Sequence, residues 1–149
     1  MSHITIRAID ENNLNHVRKI QVKAHQRDFI ETVDECLEEA ELHKEWRPVS
    51  IYSDDDIVGF AMYGAFGENP DVWIDRIIID DNHQRKGFGT AAIQQLIEIV
   101  TNKYDVRTVY LSFTPDNHFA KQLYEKLGFR FTEEYDPAGE LIYEYDLTH

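Results

Sequence analysis

Apolar and polar positions follow two periods along the chain, and the switches between them mark the elements. Ile4, Ile6 and Ala8 alternate with Thr5 and Arg7, which predicts a short strand over 4–9. Leu14, Val17, Ile20 and Ala24 then recur at helical spacing, with Asp10 or Asn12 ahead of them as the cap. A second helix carries Val33, Cys36, Leu37 and Ala40 on one face and ends near Lys44, and Thr32 with Glu35 has capping-box spacing at its start. Pro48 marks a break. Strands are predicted over 49–52 and 57–64, joined by the turn residues 53–56. The stretch 64–71 holds two glycines and a proline and predicts a loop. Residues 72–79 form a β-favouring apolar run, the pattern of a strand buried on both faces.

Further on, a glycine-bearing loop over 80–89 leads into a helix with Ala92, Ile93, Leu96, Ile97 and Val100 on one side. A strand over 106–113 follows, then a helix over 117–127 with Ala120, Leu123 and Leu127 inward and Gly128 as its left-handed stop. Strands over 129–135 and 141–147 close a hairpin around Asp136-Pro137-Ala138-Gly139. The order β-α-α-β-β-β-α-β-α-β-β predicts a mixed sheet with helices packed on it, an α/β fold in one domain over 1–149. No internal repeat, low-complexity tract or linker interrupts it.

Composition narrows the setting. The 149 residues are 42% hydrophobic and 29% charged, the balance of an ordinary soluble globule. No run approaches the roughly 18 consecutive apolar residues of a membrane span. Residues 1–7 lack the basic start and apolar stretch of a signal peptide. A lone cysteine, Cys36, cannot form an internal disulfide, so a cytoplasmic location is expected. Fifteen basic residues face 28 acidic ones, a formal net charge of −13. That field opposes nucleic acid, whose phosphates need clustered positive charge, and favours a cationic partner. Plain cytosolic acidity explains the same number. No membrane partner is expected.

The chemistry concentrates in Ile77-Ile78-Ile79-Asp80-Asp81-Asn82-His83-Gln84-Arg85-Lys86-Gly87-Phe88-Gly89. A strand enters a loop with glycines two apart, and a helix begins at once. Glycines admit a ligand close to the backbone, and a helix start offers unpaired N–H groups to an anion. Arg85 and Lys86 add positive charge against the acidic trend of the chain. The pattern is a candidate phosphate cradle, and a plain strand-to-helix turn accounts for it equally well. It is not a P-loop, because no Gly-Lys-Ser/Thr follows, and the third glycine of a dinucleotide fingerprint is absent, with Ala92 in its place.

Gln84-Arg85-Lys86-Gly87-Phe88-Gly89 resembles the core motif of the GNAT superfamily of N-acetyltransferases, Gln/Arg-x-x-Gly-x-Gly/Ala. A second signature stands where that family has one: Asn117, Ala120, then Leu123-Tyr124-Glu125-Lys126-Leu127-Gly128-Phe129. Phe29-Ile30-Glu31, Cys36-Leu37-Glu38, Gly59-Phe60-Ala61-Met62-Tyr63-Gly64 and Val72-Trp73-Ile74-Asp75-Arg76 are similar to bacterial spermine/spermidine acetyltransferases of the superfamily. The resemblance implies a GNAT fold, a mixed and mostly antiparallel sheet with a splayed central strand pair. It also implies acetyl transfer from acetyl-CoA to a primary amine, most readily a polyamine such as spermine or spermidine. Another small amine, a protein N-terminus, or a non-catalytic acyl-CoA- or polyamine-binding module are the alternatives. A homodimer is expected by analogy.

The same resemblance implies a division of labour. Backbone groups around Ile77, Ile78 and Ile79 would hold the pantetheine arm. Gln84, Arg85, Lys86, Gly87, Phe88, Gly89 and Thr90 would hold the pyrophosphate. Asn117 would touch the cofactor arm or cap its helix, two roles that can coexist. Tyr124 would protonate the leaving thiolate, with a half-buried core ring as its structural alternative. An acceptor amine with a lysine-like pKa of ~10.4 sits about three units above neutrality, so exposing its lone pair costs ~4 kcal/mol. Desolvation and a carboxylate or water acting as base reduce that cost, and backbone N–H groups can hold the oxyanion. Asp75, a carboxylate within an apolar run, is the candidate for that work, against a simple salt bridge. Glu31, Trp73 and Tyr63 are further candidates to line the acceptor groove, with a solvated charge or core packing as the alternative for each. Cys36 falls on an apolar helix face and reads as core. The seven histidines show no ligand spacing, so no metal is expected.

Overall fold

The computed structural model describes residues 3–20, 33–80 and 87–147, except the side chain of Arg76. The elements follow in the predicted order: β1 (Ile4–Ala8), α1 (Leu14–Val17), α2 (Val33–Leu42), β2 (Trp46–Ser53), β3 (Asp56–Phe66), β4 (Asp71–Ile79), α3 (Phe88–Tyr104), β5 (Thr108–Phe113), α4 (His118–Leu127), β6 (Arg130–Tyr135) and β7 (Leu141–Asp146). Among the described residues the strands form one seven-stranded sheet in the order β1-β2-β3-β4-β5-β7-β6. Every pairing is antiparallel except β4 with β5.

Helices cover both faces. Ala92, Ile93, Leu96, Ile97 and Val100 of α3 and Ala120 of α4 join Val58, Ala61, Tyr63, Val72, Ile74, Val109, Leu111 and Phe113 in the larger core. On the opposite face Val17, Val33 and Cys36 of α1 and α2 pack on Phe60, Met62 and Ile78. Alternation along the strands thus feeds two cores, the reason the central run contains so few polar residues. Cys36 is a fully buried member of the smaller core, as its helical position predicts.

Several boundaries move. Pro48 does not break the chain: it lies inside β2, opposite Met62 of β3. β1 reaches only as far as the Ala8–Val49 pair, so at Pro48 no β1 residue asks β2 for an N–H. Gly64, Ala65 and Phe66 belong to β3, paired with Trp73, Val72 and Asp71, so the expected 64–71 loop shrinks to a tight connection over 67–70. Burial of β4 is not complete on both faces: Val72, Ile74 and Ile78 are buried, but Trp73, Asp75, Ile77 and Ile79 are half-buried. The N-cap of α1 is Asn13 rather than Asp10 or Asn12, and the Asp10 carboxylate accepts from the N–H groups of Asn12 and Asn13 at 2.8 and 3.2 Å. α2 stops at Leu42, and β5 begins at Thr108. Ala24 and Thr32 lie outside the described residues.

Gly59 shows how closely β3 approaches β4. A Cβ there would stand 2.5 Å from the Ile78 carbonyl oxygen and 3.0 Å from the Ile79 Cδ1. A backbone oxygen cannot swing aside, so the strands would have to part. Gly59→Ala is expected to lower stability by ~1–3 kcal/mol, read as a shift in the denaturant midpoint. A midpoint equal to that of the unmodified protein would show that the strand pair has slack there.

Candidate active site

The site is built by an irregularity in the sheet. β4 and β5 run parallel and pair at a single position, Trp73 with Tyr110, beyond which the two strands part. On its other edge β4 carries a bulge. Phe60 pairs with Ile78 but Met62 pairs with Asp75, so Ala61 alone faces both residues 76 and 77. A bulge bends its strand and increases its twist, which here turns the C-terminal half of β4 away from β5. It also resets the alternation: Ile74 and Ile77 both pack toward the larger core, three residues apart. The result is a gap in the backbone pairing between two strands at the centre of the sheet.

At the end of β4 the gap meets the start of α3. Gly87 is the N-cap residue, with φ +79° and ψ 7°, a left-handed conformation that a residue with a Cβ adopts only under strain. Its carbonyl accepts from Ala91 at 3.2 Å, starting the helix. The first turn of α3 contains no acidic residue. The turn itself therefore contributes no carboxylate to the N–H groups that a helix start leaves without intrahelical partners. Gly89 and Thr90 lie half-exposed in that turn, and Phe88 packs against the larger core. A Cβ on Gly89 would touch only Ile79 Cγ1, at 3.8 Å. Among the described residues nothing crowds a side chain at Gly89. Gln84, Arg85 and Lys86 lie outside the described residues.

α4 carries Asn117 at its start and Tyr124 two turns on. Asn117 is its N-cap and accepts from the Ala120 N–H at 3.2 Å through its side-chain oxygen, which leaves the amide nitrogen uncommitted to the cap. Gly128, at φ +107°, ends the helix as predicted. Two turns on from Asn117, the Tyr124 ring lies 5.6 Å from Phe113 of β5 and 5.7 Å from Phe129. Burial raises the Tyr124 phenol well above its usual value of 10.0, and the Asp75 carboxylate raises it further. The second effect places Tyr124 and Asp75, 49 residues apart in sequence, within electrostatic reach of each other. A gap between β4 and β5, with a helix start at one end and a phenol within electrostatic reach of a carboxylate, suits an acyl thioester and a nucleophile that meet in it.

The family model for the acetyltransferase (GNAT) family matches residues 14–129. The chain belongs to this family. It is 37% identical over 145 residues to the spermine/spermidine N(1)-acetyltransferase of Bacillus subtilis, covering 93% of this chain and 95% of that protein. Solved structures share the fold at lower identity. Spermidine N-acetyltransferase from Vibrio cholerae, in complex with CoA and spermine, superposes with a TM-score of 0.76 at 18% identity, covering 97% of this chain and 96% of that one. An aminoglycoside acetyltransferase in complex with coenzyme A superposes with a TM-score of 0.79, also at 18% identity, covering 98% and 96%.

In this GNAT acetyltransferase the remaining candidates separate by sheet face. Asp75 pairs with Met62 and so lies on the α1–α2 face, together with Trp73 two residues earlier. Tyr63 pairs with Ile74 and lies on the other face, 8% exposed, edge-on to Tyr104 at 6.2 Å between ring centroids. The structure therefore puts Tyr63 in the larger core and does not bring it together with Asp75. Burial there raises the Tyr63 phenol, and Tyr104 adds to the rise. Glu31 lies outside the described residues. Sequence reasoning missed Tyr110, whose ring centroid is 5.4 Å from that of Trp73. A signal was present: Val109, Leu111 and Phe113 alternate as core residues, which sends Tyr110 and Ser112 to the face that holds Asp75. Among the described residues no helix is long and apolar enough to cross a membrane.

Proposed function

We propose that this acetyltransferase transfers the acetyl group of acetyl-CoA to a primary amine of a polyamine, spermine or spermidine, by direct attack. The observation that carries this reading is the 37% identity, across nearly the whole of both chains, to an enzyme of that activity. The site supports it on chemical grounds. The main chain of Ile77, Ile78 and Ile79 borders the gap and suits the amide-rich pantetheine arm, as an added strand would. The start of α3, with Gly87 and Gly89, suits the pyrophosphate. Gln84, Arg85, Lys86 and Thr90 complete that cradle, and Asn117 turns its amide to the arm. Acetyl-CoA is anionic, so the acidity of the chain serves the other substrate.

In the reaction the amine nitrogen bonds to the thioester carbonyl carbon and the carbon–sulfur bond breaks. Asp75 accepts the proton that the ammonium sheds before attack, directly or through a water; Tyr124 donates its proton to the departing sulfur and regains one, through water, from the nitrogen as the amide forms. Main-chain N–H groups at the β4 bulge hold the oxyanion. The acidity of a phenol buried beside a carboxylate is low, and this fits the task. Burial also raises the proton affinity of the thiolate, which forms in the same desolvated cleft. Glu31, Trp73 and Tyr63 remain proposals as acceptor residues, and the position of Tyr63 in the core makes it the weakest of the three. The location proposed is the cytoplasm, where both substrates occur.

Asp75→Asn is expected to lower kcat/KM by ~10²–10⁴-fold for spermidine and for butylamine alike, the loss of a positioned proton acceptor. Affinity for acetyl-CoA should change little. The check is steady-state thiol release from acetyl-CoA with spermidine and with butylamine. Equal turnover of the two amines, insensitive to salt, would mean that the acceptor is not a polyamine, and a kcat/KM unchanged by Asp75→Asn would remove Asp75 from the reaction.

A further inference from the structure

Four side chains stand in register across the sheet at the point where β4 and β5 part: Trp73 of β4, Tyr110 of β5, Glu144 of β7 and Arg130 of β6. Register partners share a face, so this row lies on the face that carries Asp75. Its near neighbour on β3 is Gly64, which has no side chain to cover the Trp73 ring. The Trp73 and Tyr110 rings meet at 5.4 Å with 35° between their planes, and both residues are half-exposed. Among the described residues, neither belongs to the two hydrophobic cores or to the side chains packed against them. An aromatic pair on a sheet, outside the core, whose exposed surface stays in a strongly acidic neighbourhood, has little structural reason to be there.

Among the described residues the electrostatics around the pair are one-sided. Asp71, Glu144, Glu134 and Asp146 all act on the Tyr110 phenol and, after burial itself, raise it above its usual value. Arg130, exposed, is the basic member of the row and lies at its far end, beyond Glu144. A negative potential over two ring faces repels anions and attracts an organic cation, which gains the ring quadrupole as well. Trp73 and Asp75 are two residues apart on one strand face, a separation of about 7 Å at ~3.3 Å per residue. That is comparable to the distance between two nitrogens joined by a short alkyl chain.

We propose that the Trp73–Tyr110 ring pair seats the second ammonium group of the acceptor while the reacting nitrogen sits at Asp75 and Tyr124, which makes Tyr110 a specificity-determining residue. This rests on the polyamine reading above and adds to it the division between the nitrogens. The reacting amine must lose a proton and belongs beside the desolvated cleft. The second stays charged, and rings with carboxylates hold it without competing for its proton. Chain length between the nitrogens is then measured along β4.

The test compares spermidine and butylamine in Tyr110→Leu and in variants with phenylalanine at 110 carrying successive ring fluorines. Fluorination drains the ring quadrupole at almost constant shape, so folding is preserved even where the Leu variant is not. The expected result is a fall of about tenfold in the spermidine-over-butylamine preference for Tyr110→Leu. A graded rise in spermidine KM with each fluorine should accompany it. A preference unchanged by either route, or a KM that does not follow fluorination, overturns the assignment of Tyr110 and leaves the polyamine reading standing. A wild-type enzyme that turns over butylamine as well as spermidine overturns both, before any variant is made.

Discussion

Tyr124→Phe is expected to reduce kcat by ~10²–10⁴-fold, the usual loss when a positioned proton donor is removed. Affinity for acetyl-CoA should stay close to that of the unmodified enzyme. The substitution takes away one oxygen and keeps the ring that packs against Phe113 and Phe129. Stability is expected to hold, because the ring contacts are kept. The pH profile separates the chemical role from a structural one. Burial and Asp75 lift the phenol above 10.0, so Tyr124 stays protonated throughout the range in which the enzyme can be assayed. Any loss of activity on the alkaline side below pH 10 must then come from another group, and the Phe variant should retain that limb at a lower plateau. A variant with full kcat where the chemical step limits the rate would remove Tyr124 from the reaction.

Gly89→Val should weaken coenzyme A binding by about a hundredfold while leaving the free protein folded. The magnitude corresponds to ~3 kcal/mol, one or two charge-assisted hydrogen bonds to the helix start displaced by a side chain. The position is chosen for its surroundings. Among the described residues the Cβ would meet only Ile79, at an ordinary 3.8 Å, and replacing glycine inside a helix costs nothing in propensity. Gly87 is a poorer probe, since its φ of +79° makes any side chain strained with or without ligand. Titration calorimetry with coenzyme A, beside a thermal melt, reads both quantities. Unchanged affinity in a folded Gly89→Val protein would move the pyrophosphate away from the start of α3.

What the chain shows without its structure, and what it hides, divides by the range of the forces involved. Helix α3 is legible because Ala92, Ile93, Leu96, Ile97 and Val100 are neighbours on a helix whatever the rest of the chain does. Gly128 is legible as a stop because a positive φ is a local demand that glycine meets. Pro48 misleads for the opposite reason. Proline is excluded only where a neighbouring strand needs its N–H, and the early end of β1 cannot be read near residue 48. The same holds for Gly64, which is a turn residue by type but a strand residue by its pairing with Trp73.

The candidate site divides in the same way. Asn117 and Tyr124 are two turns apart on one helix, and the glycine pair at 87 and 89 sits at a helix start, so both groups stand out from spacing alone. The gap itself has no local signature. It exists because β4 and β5 pair only at Trp73–Tyr110 and because a one-residue bulge opposite Ala61 bends β4 away. Asp75 reads in isolation as a carboxylate in an apolar run. Its reach to Tyr124 depends on a strand and a helix separated by two other elements, α3 and β5. By itself the sequence determined the order and type of the elements, since periodicity and backbone preference act within a few residues. Only the tertiary structure decided which strands part, which face Tyr63 and Tyr110 occupy, and which charges act on which hydroxyls. Strand register and bulges arise from pairing between distant segments, and a shift of one residue carries every side chain beyond it to the other face.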